Sequence, residues 1–360
     1  MGSHCLPKGY LGTGETPVPS VPGGGSPLLI PTGGLGSSNV RGVVVFLHGL
    51  ALQGAPFPAT LTDTTSGYGS NYVLTTANNL VADGWIFVLP IFGEDAFAPT
   101  AHSGVYNDLS NDTTKGARYM AMTGRWWDHI VAWVQLTFGS LPIVPFGASW
   151  GAHHACYIAA NKTSTIAGFV AHEPAMQVSQ TNLTYTTPVD FCQSPTTTTI
   201  AAGSNGAVLP QTSISVASTT GFAASGEIRV TNNAGGYSVI YYTGTSGGNT
   251  FTGCLGGAGT LATGGTVAQS TFTSGMDLTT TYLNGVTTIP GIIGWSTSDI
   301  AVGYGMQQAM YTAAHGVNST ITSWSEATPH GLSLAAANNY TQATTGYFAT
   351  TIDPLCPKKY

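Results

Sequence analysis

Ser149 stands at the centre of Gly147-Ala148-Ser149-Trp150-Gly151, a G-x-S-x-G pentapeptide. The apolar run Ile143-Val144-Pro145-Phe146 precedes it and a small-residue stretch, 152–160, follows. Strand, G-x-S-x-G, helix is the sequence form of a tight turn that lifts one serine hydroxyl above a sheet edge. Glycines two places before and after the serine are needed because side chains there would collide across a strained backbone. In a chain with 48 glycines the pentapeptide alone says little, and its flanks give it meaning. A hydroxyl is a weak nucleophile, so it needs a base, and the base needs an acid to orient it. The histidines after the serine are His153, His154, His172, His315 and His330. The first two lie on the turn's own helix and cannot easily swing back. His330, in Thr328-Pro329-His330-Gly331 before a final helix over 332–338, is the expected base. Two carboxylates compete for the third role. Asp299 follows a strand over 292–295, and Glu173 ends an earlier strand in His172-Glu173-Pro174. Asp299 is preferred and Glu173 is the alternative; a carboxylate at a strand end also commonly caps a turn.

These residues need elements to position them. The unbroken run 42–47 (GVVVFL) reads as a central parallel strand, 71–82 as a helix and 85–90 as the next buried strand. Residues 91–124 read as a long polar and aromatic loop over the mouth of the site. A helix over 125–138 follows, with Trp127, Ile130, Val131 and Val134 at core spacing. That spacing favours a core role for Trp126 and Trp127 over the lining of a groove. A strand over 166–171 leads to His172-Glu173, and a helix starts at Gly305. Alternating strands and helices of this kind predict an α/β fold with a mostly parallel sheet and helices on both faces.

Between 195 and 269 the texture changes. Helical periodicity gives way to short alternating runs between glycines, such as Ser213-Ile214-Ser215-Val216 and Ser238-Val239-Ile240-Tyr241-Tyr242. The α/β pattern resumes at Ile292, so this is a small all-β insertion. It has one Glu, one Arg and no His, which points to binding or assembly rather than chemistry. The expected organisation is an extended Gly/Pro-rich arm over 1–41 with an edge strand at 28–30, a core over 42–194, the insert over 195–269 and the rest of the core over 270–360.

Composition sets the outer bounds. Charged residues are 7% of the chain, against a typical ~25%, so Thr, Ser, Asn and Gly must supply solubility. A net charge of −6 with few basic residues argues against nucleic acid. No run of eighteen apolar residues offers a membrane span. Cys5, Cys156, Cys192, Cys254 and Cys356 have no metal-ligand spacing, and Cys156 reads as a buried core thiol. The segment MGSHCLPKGYLG has no apolar core of a signal peptide; removal, or exit inside a particle released by lysis, is the expectation.

Taken together, His48-Gly49 after an early strand, GASWG, STSDIAV and PHG resemble the α/β-hydrolase superfamily over about 42–194 and 270–350. Ala148 stands where lipases usually carry His, so no named lipase group is implied. The resemblance implies a serine carboxylester hydrolase with the chain order Ser149, acid, His330. It further implies an oxyanion hole from the backbone N–H groups of Leu50 and Trp150, an ester substrate, and neither metal nor organic cofactor. The insert is similar to small β modules of tailed-bacteriophage tail proteins. That implies a virion or extracellular setting, a cell-envelope or surface-glycan ester, and contacts with neighbouring virion proteins through 195–269. A secreted bacterial polyester or lipid esterase is the alternative, and a catalytically silent virion scaffold or adhesin is a further one.

Overall fold

The computed structural model describes residues 28–29, 31, 39–47, 72–89, 115–174, 196–234, 237–269, 288–299, 304–328 and 330–358. Its central element is a seven-stranded sheet of strands β1 (Leu28–Leu29), β2 (Gly42–Leu47), β3 (Trp85–Val88), β4 (Ile143–Ala148), β5 (Phe169–His172), β13 (Gly291–Ser296) and β14 (Ile321–Glu326). The spatial order is β1-β3-β2-β4-β5-β13-β14. β1 is antiparallel to β3, and the other pairings are parallel.

Side chains of these strands divide by parity between two cores. Val43, Val45 and Leu47 of β2 join one, and Val44 and Phe46 join the other. β3 and β4 divide in the same way. On the first face lie α2 (Lys115–Phe138), α3 (Trp150–Asn161) and α4 (Tyr304–Val317), supplying Trp127, Ile130, Ala155, Cys156 and Met310. The second face is covered by α1 (Tyr72–Ala82), α5 (Leu334–Thr341) and the C-terminal turns, through Leu80, Ala336, Tyr340 and Ile352. Burial on both faces is why the strands read as continuous apolar runs, each large side chain contributing roughly 1.5–3 kcal/mol. This is the mostly parallel sheet with helices on both faces that the alternating pattern predicts. No helix of the described residues is long and apolar enough to cross a membrane.

The all-β insertion is also present. It comprises β6 (Thr197–Thr199), β7 (Ser213–Ser215), β8 (Gly226–Thr231), β9 (Tyr237–Tyr242), β10 (Gly244–Ser246), β11 (Thr250–Thr252) and β12 (Thr266–Gln269). They form a four-stranded sheet, β6-β12-β8-β9, and a three-stranded one, β10-β11-β7. Both enclose a separate core with Ile214, Ile228, Ile240, Tyr242, Phe251 and Val267.

Four expectations are corrected. Helix α2 begins at Lys115, so part of the loop expected over 91–124 is helical. Buried Thr123 bonds His154 Nδ1 at 3.0 Å, a long-range tie that local pattern does not contain. The strand expected from 166 begins at Phe169, because a 3₁₀ turn, Thr163–Thr165, brings the chain onto the sheet. Helix α5 starts at Leu334, since the Ser333 hydroxyl caps it by accepting the Ala336 N–H. Strand β14 was not anticipated: it lies at the sheet edge, and most of its residues stay exposed or half-buried. The 1–27 portion of the arm, Ile30, Cys5, Cys192, the 91–114 loop and the linking stretches 175–195 and 270–287 lie outside the described residues.

Candidate active site

Strands β4, β5, β13 and β14 are consecutive neighbours and run parallel, so their C-terminal ends line one edge of the sheet. Ser149 follows β4, Glu173 follows β5, Asp299 follows β13 and His330 follows β14. In parallel α/β sheets this edge is where ligands bind. Chain neighbours in the sheet thus bring together groups that are up to 181 residues apart.

Ser149 joins strand and helix with φ 56° and ψ −122°. Its N–H donates to the His172 carbonyl at 2.8 Å, and its own carbonyl accepts from Ala152 N at 3.0 Å, starting α3. The turn is closed so tightly that a Cβ on Gly147 would lie 2.1 Å from the Gly151 carbonyl oxygen, which only glycine permits. Ser149 and Glu173 (φ 53°) are the only non-glycine residues with positive φ among the described residues. Each such conformation costs about 1–3 kcal/mol, and both fall in the site.

The Ser149 hydroxyl donates to His330 Nε2 at 2.8 Å, and His330 Nδ1 donates to Asp299 Oδ2 at 2.6 Å. Because carboxylates only accept, Nδ1 carries the proton and Nε2 is bare, the tautomer a general base requires. Asp299 is held by a short turn in which its N–H donates to Ser296 O. The Ser296 hydroxyl accepts the Thr328 N–H at 2.9 Å and donates to the Thr328 carbonyl, tying the acid's turn to the segment leading to His330.

The second acid is present as well. Glu173 is fully buried; its Oε2 lies 3.1 Å from His330 Nδ1 and accepts the Gly331 N–H at 2.6 Å. Sequence reasoning set Asp299 against Glu173, but the fold places both against one imidazole nitrogen. Burial opposes a charged His330. The charges of Asp299 and Glu173 and the hydrogen bonds to both nevertheless lift it well above the ordinary histidine value. Burial likewise opposes ionised Glu173, but the charges of His172 and His330 and hydrogen bonds from His330 and Gly331 bring its pKa below the usual carboxylate value.

Behind these lie residues that sequence spacing did not select. His172 Nε2 donates to the Gly331 carbonyl at 3.2 Å, and its Nδ1 lies 2.8 Å from the Tyr340 hydroxyl. Burial first, then the charges of Glu173 and Glu326, holds Tyr340 well above its ordinary value, so it stays a donor. Glu326 is bonded by the Ser333 hydroxyl at 2.5 Å. The apolar run before His172-Glu173 was the only local signal for this group.

His153 and His154 are buried on α3, as their place on the turn's helix implies. Trp127 is core, and the side chain of Trp126 lies outside the described set, as does that of Trp150. The Trp150 N–H is the first of α3 and has no intrahelical acceptor. His48, Gly49 and Leu50, the other half of the expected oxyanion hole, lie outside the described residues. Among the described residues, Glu173, Asp299 and His330 are the one group of three whose donor atoms lie within 4.8 Å of one another. The Nδ1 proton between two carboxylates accounts for that convergence.

No protein-family model matches the chain, and no curated protein matches it by sequence. Solved structures do align with it. An esterase domain from Rhodothermus marinus aligns at 10% identity and a TM-score of 0.41, over 89% of this chain and 90% of its own. The acylaminoacyl peptidase of Pyrococcus horikoshii aligns at 10% identity and a TM-score of 0.45, over 92% of this chain and 39% of the peptidase. An esterase of Pyrococcus furiosus aligns at 14% identity and a TM-score of 0.38, over 82% of this chain and 76% of that one.

Proposed function

We propose that the chain is a serine hydrolase of carboxylic esters. Ser149 is the nucleophile, His330 the general base and then acid, and Asp299 the carboxylate that orients the base. The observation that carries this reading is the relay from Ser149 Oγ to His330 Nε2 at 2.8 Å and from His330 Nδ1 to Asp299 Oδ2 at 2.6 Å. It starts from a serine in the strained conformation of a nucleophile turn. In the first step Oγ bonds to the ester carbonyl carbon as its proton passes to Nε2, and the carbonyl electrons move onto oxygen. The Trp150 N–H, with that of Leu50, is the proposed donor to this oxyanion. His330 then protonates the leaving alcohol, and water repeats the sequence to release the acid.

The setting proposed from the insert's resemblance to tail-protein modules is a virion tail or another extracellular site, acting on an envelope or surface-glycan ester, with the insert making the attachments. The convergent triad geometry supports an enzyme over a silent scaffold on the same fold. Replacement of Ser149 by Ala tests the chemistry. Turnover of p-nitrophenyl esters of graded chain length should fall by several orders of magnitude, with the melting transition kept. Activity surviving in the folded variant removes Ser149 from the mechanism. Co-sedimentation of esterase activity with particles tests the setting.

A further inference from the structure

Glu173 differs from a carboxylate that merely ends a strand. It is fully buried and holds a backbone conformation that non-glycine residues rarely adopt, shared among the described residues only with the nucleophile. Its Oε2 faces the same nitrogen as Asp299 Oδ2, at 3.1 Å against 2.6 Å. The same oxygen takes the Gly331 N–H while the neighbouring His172 Nε2 holds the Gly331 carbonyl. The dipeptide at the end of β5 therefore holds both the N–H and the carbonyl of Gly331, the residue next to the base. Glu173 Oε1 is buried with no hydrogen-bond partner, its neighbour being His172 Nε2 at 3.8 Å. A cap for one N–H does not require a second, unsatisfied oxygen to be buried beside an imidazole. A carboxylate whose charge serves the imidazolium does explain it.

We propose that Glu173 acts together with Asp299 on His330, as a second carboxylate that positions the base and shares the charge of its imidazolium. The site is then a tetrad, Ser149–His330–Asp299/Glu173, and neither acid is redundant. This rests on the reading of Ser149 as nucleophile and His330 as base. When Nε2 takes the Oγ proton, the Nδ1–H stays on the ring and the new positive charge faces two anions in a buried setting. When Asp299 is lost, Glu173 remains as acceptor for Nδ1–H, so the ring keeps the tautomer that leaves Nε2 bare. The groups facing His330 are Asp299 from the turn after β13, Glu173 from the end of β5 and Ser149 from the turn before α3. Behind Glu173 lie His172, Glu326 of β14 and Tyr340 of α5.

The test is the pH dependence of kcat/KM for a soluble ester in the wild type, E173Q, D299N, the double variant and S149A, each checked for a cooperative melt. In the wild type the acid limb reports His330 becoming neutral. E173Q should move that limb to lower pH and reduce the plateau by about tenfold. D299N should also lower the limb but lose only roughly 10²-fold, the low end for positioned acid–base groups and short of the ~10⁴ lost when a lone orienting acid is replaced. The double variant should fall to the S149A level. An E173Q limb left where the wild type has it, or a double variant no worse than D299N, overturns the proposal. If E173Q fails to fold, D299N decides: a loss near 10²-fold supports a second acceptor, and a loss of about 10⁴-fold removes it. Activity retained in S149A overturns the nucleophile assignment itself, and a dead S149A with an unmoved E173Q limb overturns only the second carboxylate.

Discussion

Strand β2 of the central sheet and strands β7 and β11 of the insertion are buried differently. In β2 all six residues are buried, odd positions facing one set of helices and even positions the other. In β7 and β11 only the middle residue is buried, Ile214 or Phe251, between Ser or Thr. The first pattern belongs to a sheet covered twice and the second to a sheet with one wet face. The difference also governs where side chains can converge. A twice-covered parallel sheet lines up strand ends at one edge, where side chains from four strands converge. The insertion's antiparallel strands return through glycine turns, and its one Glu and one Arg sit on a single strand, β8.

Among the described residues, the two regions meet at the start of helix α4. The Tyr304 hydroxyl donates to the Gly257 carbonyl at 3.2 Å, and Tyr241 packs against the core of the main sheet. A Cβ on Gly305 would lie 2.1 Å from the Leu255 carbonyl oxygen, so the backbones touch. The insertion's own ends leave side by side, Thr197 pairing with Ala268.

The comparison breaks most severely at the elbow. Gly147→Ala should cost at least about 10²-fold in ester turnover, since displacement of the nucleophile by an ångström suffices for that. Kinetics of the purified variant check this, and near-normal turnover would show that the turn tolerates a side chain. Excision of 197–268 with a short Gly/Ser closure comes next. The unfolding enthalpy should drop by roughly 50 kcal/mol, from ~0.7 kcal/mol per residue, while small-ester turnover stays within about tenfold. Calorimetry and kinetics together decide; loss of turnover in a variant that still melts cooperatively would make the insertion part of the pocket.

A smaller effect is expected at the seam. Gly305→Ala should destabilise by about 1–3 kcal/mol through overpacking, with turnover nearly unchanged. A thermal scan that matches the wild type would mean that the seam yields freely.

The smallest effect lies at the opposite end of the sheet. Asp353 accepts from Trp85 Nε1 at 2.9 Å, close to Arg41. Burial, then its hydrogen bond with Asp83, pushes its pKa up to about 7, with Trp85 and Arg41 opposing. A carboxyl whose folded pKa is raised contributes stability that is present below its unfolded value near 4 and lost as pH rises through about 7. The wild type should therefore lose a few degrees of melting temperature between pH 5 and 8 that Asp353→Asn does not lose. Parallel pH profiles of the two would count against this.

What the sequence by itself determined was the local chemistry. Strand, G-x-S-x-G and helix are contiguous, so steric limits on a single turn were readable in a dozen residues. The change from period 3.6 to period 2 near 195 was likewise a short-range pattern, and the face of α2 through Trp127, Ile130 and Val134 followed from spacing alone. His330 was legible from its place in the chain. Only the tertiary structure brings both carboxylates to one histidine, because β5 and β13 are adjacent parallel strands whose ends reach the same imidazole. No spacing along the chain records that adjacency. The grip of His172 and Glu173 on Gly331, the Tyr340 contact and the weakly apolar edge strand β14 are of the same kind. Each depends on which strand lies beside which, a choice made by burying both faces of the sheet at once rather than by any segment's own preference.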